Sequence, residues 1–184
     1  MADRAARPPG APDPQPTGLR VAPEPFASPD AGRLLAAAYA ELEERYGPGP
    51  HDVDRADDAD LAHRPLTADQ FEPPAGAFLV ARLAGAAVGC VGLRRLPDGT
   101  AEVKRLFVER QRRGEGTARA LMDELEAVAW DLGYRQLRLE TGGRQPEAIA
   151  LYRSSGWASA PTYLGAERHD SSVYFEKALS PPSS

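Results

Sequence analysis

The feature that most constrains this chain is a change of apolar period around residue 110. Up to Val108 the run AEVKRLFV, residues 101–108, reads as a strand. From Ala118 onward, Ala118, Leu121, Met122, Leu125, Val128, Ala129 and Leu132 recur at three and four, one face of a helix. The stretch RQRRGEGTARALM, residues 110–122, spans the junction and sets Gly114 and Gly116 just before the helix. Glycine there lets the backbone turn tightly and approach a ligand without a Cβ in the way. The helix start adds unpaired N–H donors and the positive end of its dipole. With Arg112 and Arg113 at the rim, the loop suits phosphate or another anion.

Spacing narrows the type of loop. A Walker loop needs a lysine after its last glycine, and none follows Gly116. A dinucleotide fingerprint needs a third glycine, and GEGTAR stops at two. Gln111 to Gly116 fit Q-x-x-G-x-G in full. Six residues alone leave open an ordinary glycine-containing helix cap.

At 184 residues the chain suits one domain with a sizeable core. Residues 1–17, MADRAARPPGAPDPQPT, and 180–184 read as disordered tails around a single domain at 18–179, because their composition offers little apolar surface to bury. The net charge of −5 argues against a general nucleic-acid surface. One cysteine excludes an internal disulfide, and the three histidines have no metal-binding spacing, so no metal cofactor is expected. There is no signal-peptide pattern and no apolar run long enough to span a bilayer, so a soluble, cytoplasmic protein is expected.

Ser28 and Pro29 read as N-cap and first position of a helix carrying Leu34, Leu35, Ala38, Tyr39 and Leu42, which Gly47 stops. A short strand at 19–21 is weakly marked, and residues 47–65 read as an aspartate-dense loop. AFLVARL and AAVGCVGLRRL flank Ala84 and Gly85 as a hairpin, and DGT at 98–100 turns the chain into AEVKRLFV. After the long helix come the strand RQLRLET, a helix opened by Pro146 and closed by Gly156, and a last strand SSVYFEKAL. The order predicts an α/β or α+β sheet with helices on both faces.

Four elements in this order, AEVKRLFV, the Q-x-x-G-x-G loop, QPEAIALYRSSGW and VYFEK, resemble the GNAT superfamily of acetyl-CoA-dependent N-acetyltransferases over residues 76–178. The resemblance implies a mixed, mostly antiparallel sheet whose strands splay at the cofactor site. It implies acetyl-CoA as cosubstrate, its pantetheine arm pairing with Leu106, Phe107 and Val108. The pyrophosphate would then lie on Gln111, Arg112, Arg113, Gly114, Glu115, Gly116 and Thr117. Backbone N–H groups of the splayed strand would polarise the thioester carbonyl. Gln145 stands where the family often has a pantetheine-binding asparagine, and Trp157 where phenylalanine is commoner. Edge-strand dimers occur in the family, so a homodimer is open.

An alkylamine of pKa about 10.4 is free base in only about one part in a few thousand at pH 7. That adds roughly 4 to 5 kcal/mol to the barrier unless a base takes the proton. By the family's spacing Glu102, four residues before Leu106, is the candidate relay, with Glu140 on the next strand as substitute. A solvated strand glutamate paired with a basic neighbour is the plainer alternative. Tyr152, at the family's tyrosine in ALYRSSGW, is the candidate acid for the departing thiolate, against simple packing of a short helix on the sheet. Asp52, Asp54, Asp57, Asp58 and Asp60 suit either a solvated loop or attraction of a cationic acceptor. Cys90 reads as buried packing. The acceptor on this reading is a small amine or amino acid, with protein lysines beside them. A non-catalytic acyl-CoA sensor and a transferase of larger acyl groups are the alternatives.

Overall fold

Two apolar runs joined by Ala84 and Gly85 fold back on each other, and the rest of the sheet is built outward from that hairpin. The computed structural model describes residues 17–47, 66–163 and 172–181. The expected N-terminal tail, the aspartate-dense loop and the end of the C-terminal tail lie, but for their flanking residues, outside the described residues. The strands are β1 (Leu19–Pro23), β2 (Ala77–Leu83), β3 (Ala86–Arg95), β4 (Ala101–Val108), β5 (Gln136–Gly142), β6 (Ala158–Ser159) and β7 (Ser172–Ala178). The helices are α1 (Pro29–Tyr46), α2 (Thr117–Asp131) and α3 (Pro146–Ser154), with short 3₁₀ turns at Ala68–Phe71 and Arg110–Arg112. The expected strand at 19–21 is β1, and the two-residue β6 has no counterpart in the sequence reading.

The strands form one sheet in the order β1-β2-β3-β4-β5-β7-β6. Every neighbouring pair is antiparallel except β4 and β5, which α2 connects as a crossover. The mixed, mostly antiparallel sheet with helices on both faces is therefore as expected.

Alternation along the strands divides two cores. Leu79, Val91, Leu93, Val103, Leu137, Leu139 and Phe175 pack with Leu121, Met122 and Leu125 of α2. Phe78, Val80 and Cys90 point the other way and meet Ala31 and Leu34 of α1 together with Phe71. Ser28 caps α1 through its hydroxyl, which accepts from the Ala31 N–H at 3.1 Å, as the sequence led one to expect. Ala101 and Val103 belong to the α2 core, so Glu102 between them faces the α1 side. No described helix is long and apolar enough to cross a membrane.

Candidate active site

The parallel ladder between β4 and β5 has only three rungs, Ala101–Leu137, Glu102–Arg138 and Val103–Leu139. Beyond them the strands part: β4 stays paired with β3 as far as Val108, while β5 stays paired with β7 as far as Gly142. The β3–β4 register jumps from Cys90–Phe107 to Gly92–Lys104, so Arg105 and Leu106 together oppose Val91 in a bulge. Arg105 sits there at φ 59, a left-handed conformation that costs a non-glycine residue about 1–3 kcal/mol. The Cys90 thiol, which burial pushes up to about 12, is 3.6 Å from the Arg105 carbonyl and donates to it. Leu106, Phe107 and Val108 thus line an opening inside the sheet.

The loop after β4 leads directly to α2. Gly114 and Gly116 have φ 76 and 84, and Gly116 caps the helix with no side-chain hydrogen bond. The first N–H groups of α2 therefore have no side-chain partner from the cap, unlike those of α1. Thr117 Oγ1 is buried in that first turn without a hydrogen-bond partner. Gln111, Arg112 and Glu115 are exposed.

The two arginines singled out in the sequence separate. Arg112 has no ion pair among the described residues, whereas Arg113 binds Glu41 of α1 through both terminal nitrogens, at 2.9 and 2.6 Å, and donates from Nε to Val108 O. Glu41 also receives Arg45 and Arg110, and Arg113 above all holds its carboxyl below the ordinary value. Arg110 is further paired with Glu44.

On the other lip, Arg45 reaches Glu147 at 2.6 Å and the Arg144 carbonyl at 2.8 Å. The Tyr46 hydroxyl fills the space above Gly142: a Cβ there would stand 1.9 Å from it. The end of α1 thereby braces both sides of the opening. Gln145 caps α3 from its backbone, its carbonyl accepting from Ala148 and Ile149, and its side-chain amide lies beside Gly142.

Glu102 and Tyr152 approach the opening from opposite faces. Glu102 is fully buried rather than solvated, and it is paired with basic neighbours as the plainer alternative had it. Its Oε2 accepts from Arg94 Nε at 2.7 Å and pairs with Nη2 at 2.7 Å, while Oε1 lies 3.1 Å from Lys104 Nζ and accepts from the Tyr163 hydroxyl at 2.9 Å. Tyr152 belongs to the α2-side core, with ring centroids 5.9 Å from Trp157 and 5.7 Å from Phe175. Burial pushes its phenol above the ordinary value, so it remains protonated and has a proton to donate. Its hydroxyl has no hydrogen-bond partner among the described residues. Glu140 is half-buried and accepts from Ser172 at 2.5 Å and Tyr174 at 3.4 Å.

Arg94, Lys104 and Tyr163 are site residues that sequence reasoning missed. Arg94 was within reach, because it mirrors Glu102 across the turn at Asp98 and pairs with it in the hairpin. Tyr163 follows β6 in a segment with no apolar period, and only tertiary packing brings it to Glu102.

With this geometry in place, the profile of the acetyltransferase (GNAT) family matches residues 35–157. The chain belongs to the GNAT family. It is an acyltransferase by that membership. A protein named IAA acetyltransferase from Azospirillum brasilense is 39% identical over 103 residues, 55% of this chain and 67% of its own length. N-acetyltransferase 8 of Homo sapiens is 35% identical over 97 residues, 50% of this chain and 43% of its own length. This chain thus spans two thirds of the first relative and under half of the second. Among solved GNAT-fold structures, a Klebsiella pneumoniae protein described as an acyl-CoA N-acyltransferase superposes with a TM-score of 0.70 at 28% identity, covering 88% of this chain and 97% of that one. A GNAT family acetyltransferase of Elizabethkingia anophelis, solved with acetyl-CoA bound, gives 0.59 at 16% identity over 88% and 99%.

Proposed function

We propose that this GNAT protein transfers an acetyl group from acetyl-CoA to a primary amine by direct attack within a ternary complex. The observation that carries the reading is the opening between β4 and β5, which joins a bulged strand to a helix start without a side-chain cap. The solved neighbour of the same fold with acetyl-CoA bound supports the choice of donor.

Acetyl-CoA supplies an activated thioester when bound. Leu106, Phe107 and Val108 offer it backbone groups on a strand with no neighbour at that side among the described residues, and the bulge leaves an amide outside the ladder to polarise a carbonyl. The amides from Gln111 to Thr117 would take the pyrophosphate, aided by Arg112 and by Arg113. Gln145 offers its side-chain amide at the far lip. On the α1 side Glu102 accepts the proton of the amine. On the α2 side Tyr152 gives its own to the departing sulfur. An acyl-cysteine route has no support, because Cys90 is buried and held as the thiol.

The acceptors proposed are small amines and amino acids, with protein lysines in the same class, and the working compartment proposed is the cytoplasm. A panel of such amines with acetyl-CoA, read by thiol release, tests the function. One observation favours a second reading as a non-catalytic acyl-CoA sensor: both oxygens of Glu102 already hold partners. Tight coenzyme A binding with no turnover across the panel would select it.

A further inference from the structure

The Glu102 carboxylate is sealed from solvent, and that raises the question of how a substrate proton reaches it. Among the described residues three side chains hydrogen-bond or ion-pair with it. Arg94 and Lys104 are 4% and 5% exposed and approach from within the sheet. Tyr163 alone of the three is part-exposed, and its hydroxyl ends on Oε1 at 2.9 Å. Its ring is fixed edge-on against Tyr174, with centroids 5.7 Å apart, and the Arg138 guanidinium lies over it at 5.5 Å. Arg138 is tied in turn to Asp98 at 2.6 Å. The hydroxyl is therefore held in one direction by its surroundings.

We propose that Tyr163 is a catalytic residue that relays the acceptor's proton to Glu102. The ammonium proton of the acceptor passes to Tyr163 Oη while the hydroxyl proton of Tyr163 passes to Glu102 Oε1. Tyr163 is neutral before and after, Glu102 becomes the neutral acid, and the amine keeps its lone pair for attack on the thioester. Glu102 returns the proton to solvent by the same path once the product has left. Burial, and then the Glu102 carboxylate, push the phenol far above its ordinary value, so Tyr163 starts as the O–H donor this route requires. The faces agree as well: Glu102, Arg138 and Tyr163 all lie on the side of the sheet that α1 covers, opposite Tyr152.

The proposal rests on the reading of Glu102 as the proton acceptor, and the test separates the two. For the best amine of the panel, kcat/KM is measured from pH 6 to pH 10 for Tyr163→Phe, Glu102→Gln and the double variant, with coenzyme A affinity by calorimetry on each. The relay predicts a loss of about 10²- to 10⁴-fold near neutral pH for either single variant, recovered as the solution supplies free amine. It also predicts a double variant no slower than Glu102→Gln, since both act in one step. Wild-type rates in Tyr163→Phe with a slow Glu102→Gln would overturn the relay and leave Glu102 standing. Wild-type rates in both would remove Glu102 as well. A Tyr163→Phe defect that persists at high pH would mean the tyrosine only shapes the site. Should that variant fail to fold, a ring-fluorinated tyrosine at position 163 decides: it keeps the ring and the hydroxyl but makes the phenol more acidic, so the relay predicts a changed kcat/KM near neutral pH with unchanged coenzyme A affinity, and an unchanged rate overturns the proposal.

Discussion

Tyr152 packs from α3 onto one face of the sheet while Glu102 leaves β4 by the other, so their loss should be felt differently. Tyr152→Phe removes only a buried hydroxyl without a described partner and should leave the fold and coenzyme A affinity nearly unchanged. Its defect in kcat/KM should persist at high pH, because free amine does not help a thiolate leave. Recovery at high pH would sink the acid role. Glu102→Ala should be a poor kinetic probe, since it strands Arg94 and Lys104 in the sheet. Removing one partner of such a buried pair costs about 3–5 kcal/mol, which denaturant titration would register. At this scale the sequence was legible in part. Glu102 and Tyr152 were singled out by their place in a family pattern, while Arg94 was missed although symmetry about the 98–100 turn sets it opposite Glu102. Tyr163 could not be named, since its contact depends on how a segment without period folds over the sheet.

Elements that obey a period were readable: the β2–β3 hairpin, β4, α2, β5 and α3 all lie within a residue or two of where alternation or the three-four spacing puts them. The bulge at Arg105 was hidden, because KRLFV contains no glycine or proline to mark it. The brace formed by α1 was hidden too, since nothing in a helix's own sequence tells which distant arginines its acids will meet. Gly116 at φ 84 is where the loop is most sensitive. Gly116→Val should strain the turn and weaken coenzyme A binding strongly by calorimetry on folded protein, and unchanged affinity would reduce the loop to a helix cap. The brace has a pH signature. Glu41 has its carboxyl held below the ordinary 4.5, so its contribution to stability is present above that value and is lost as pH falls through the folded value. Glu41→Gln should therefore be less stable than the parent at pH 7 and converge with it as the pH falls through that lowered value. Equal denaturation midpoints at pH 7 would show that the brace contributes nothing.

For the molecule as a whole, the first strand of the described residues begins at Leu19, and a chain starting at Gly18 should melt at nearly the parent temperature and keep its activity. A large loss of either would show that the preceding residues dock on the domain. The sheet itself is two panels, β1–β4 and β5–β7, and the rungs between β4 and β5 are few. Hydrophobic contacts cross the join as well, with the Lys177–Glu126 pair that ties β7 to α2 at 2.7 Å, the Arg138–Asp98 pair at 2.6 Å and the Tyr163–Glu102 hydrogen bond at 2.9 Å. A fabric seamed so briefly tears along the seam, and a thread laid in the gap mends it. Amides of the second panel should then exchange with deuterium as one group, ahead of the first, and a molecule lying between β4 and β5 should slow the whole group at once.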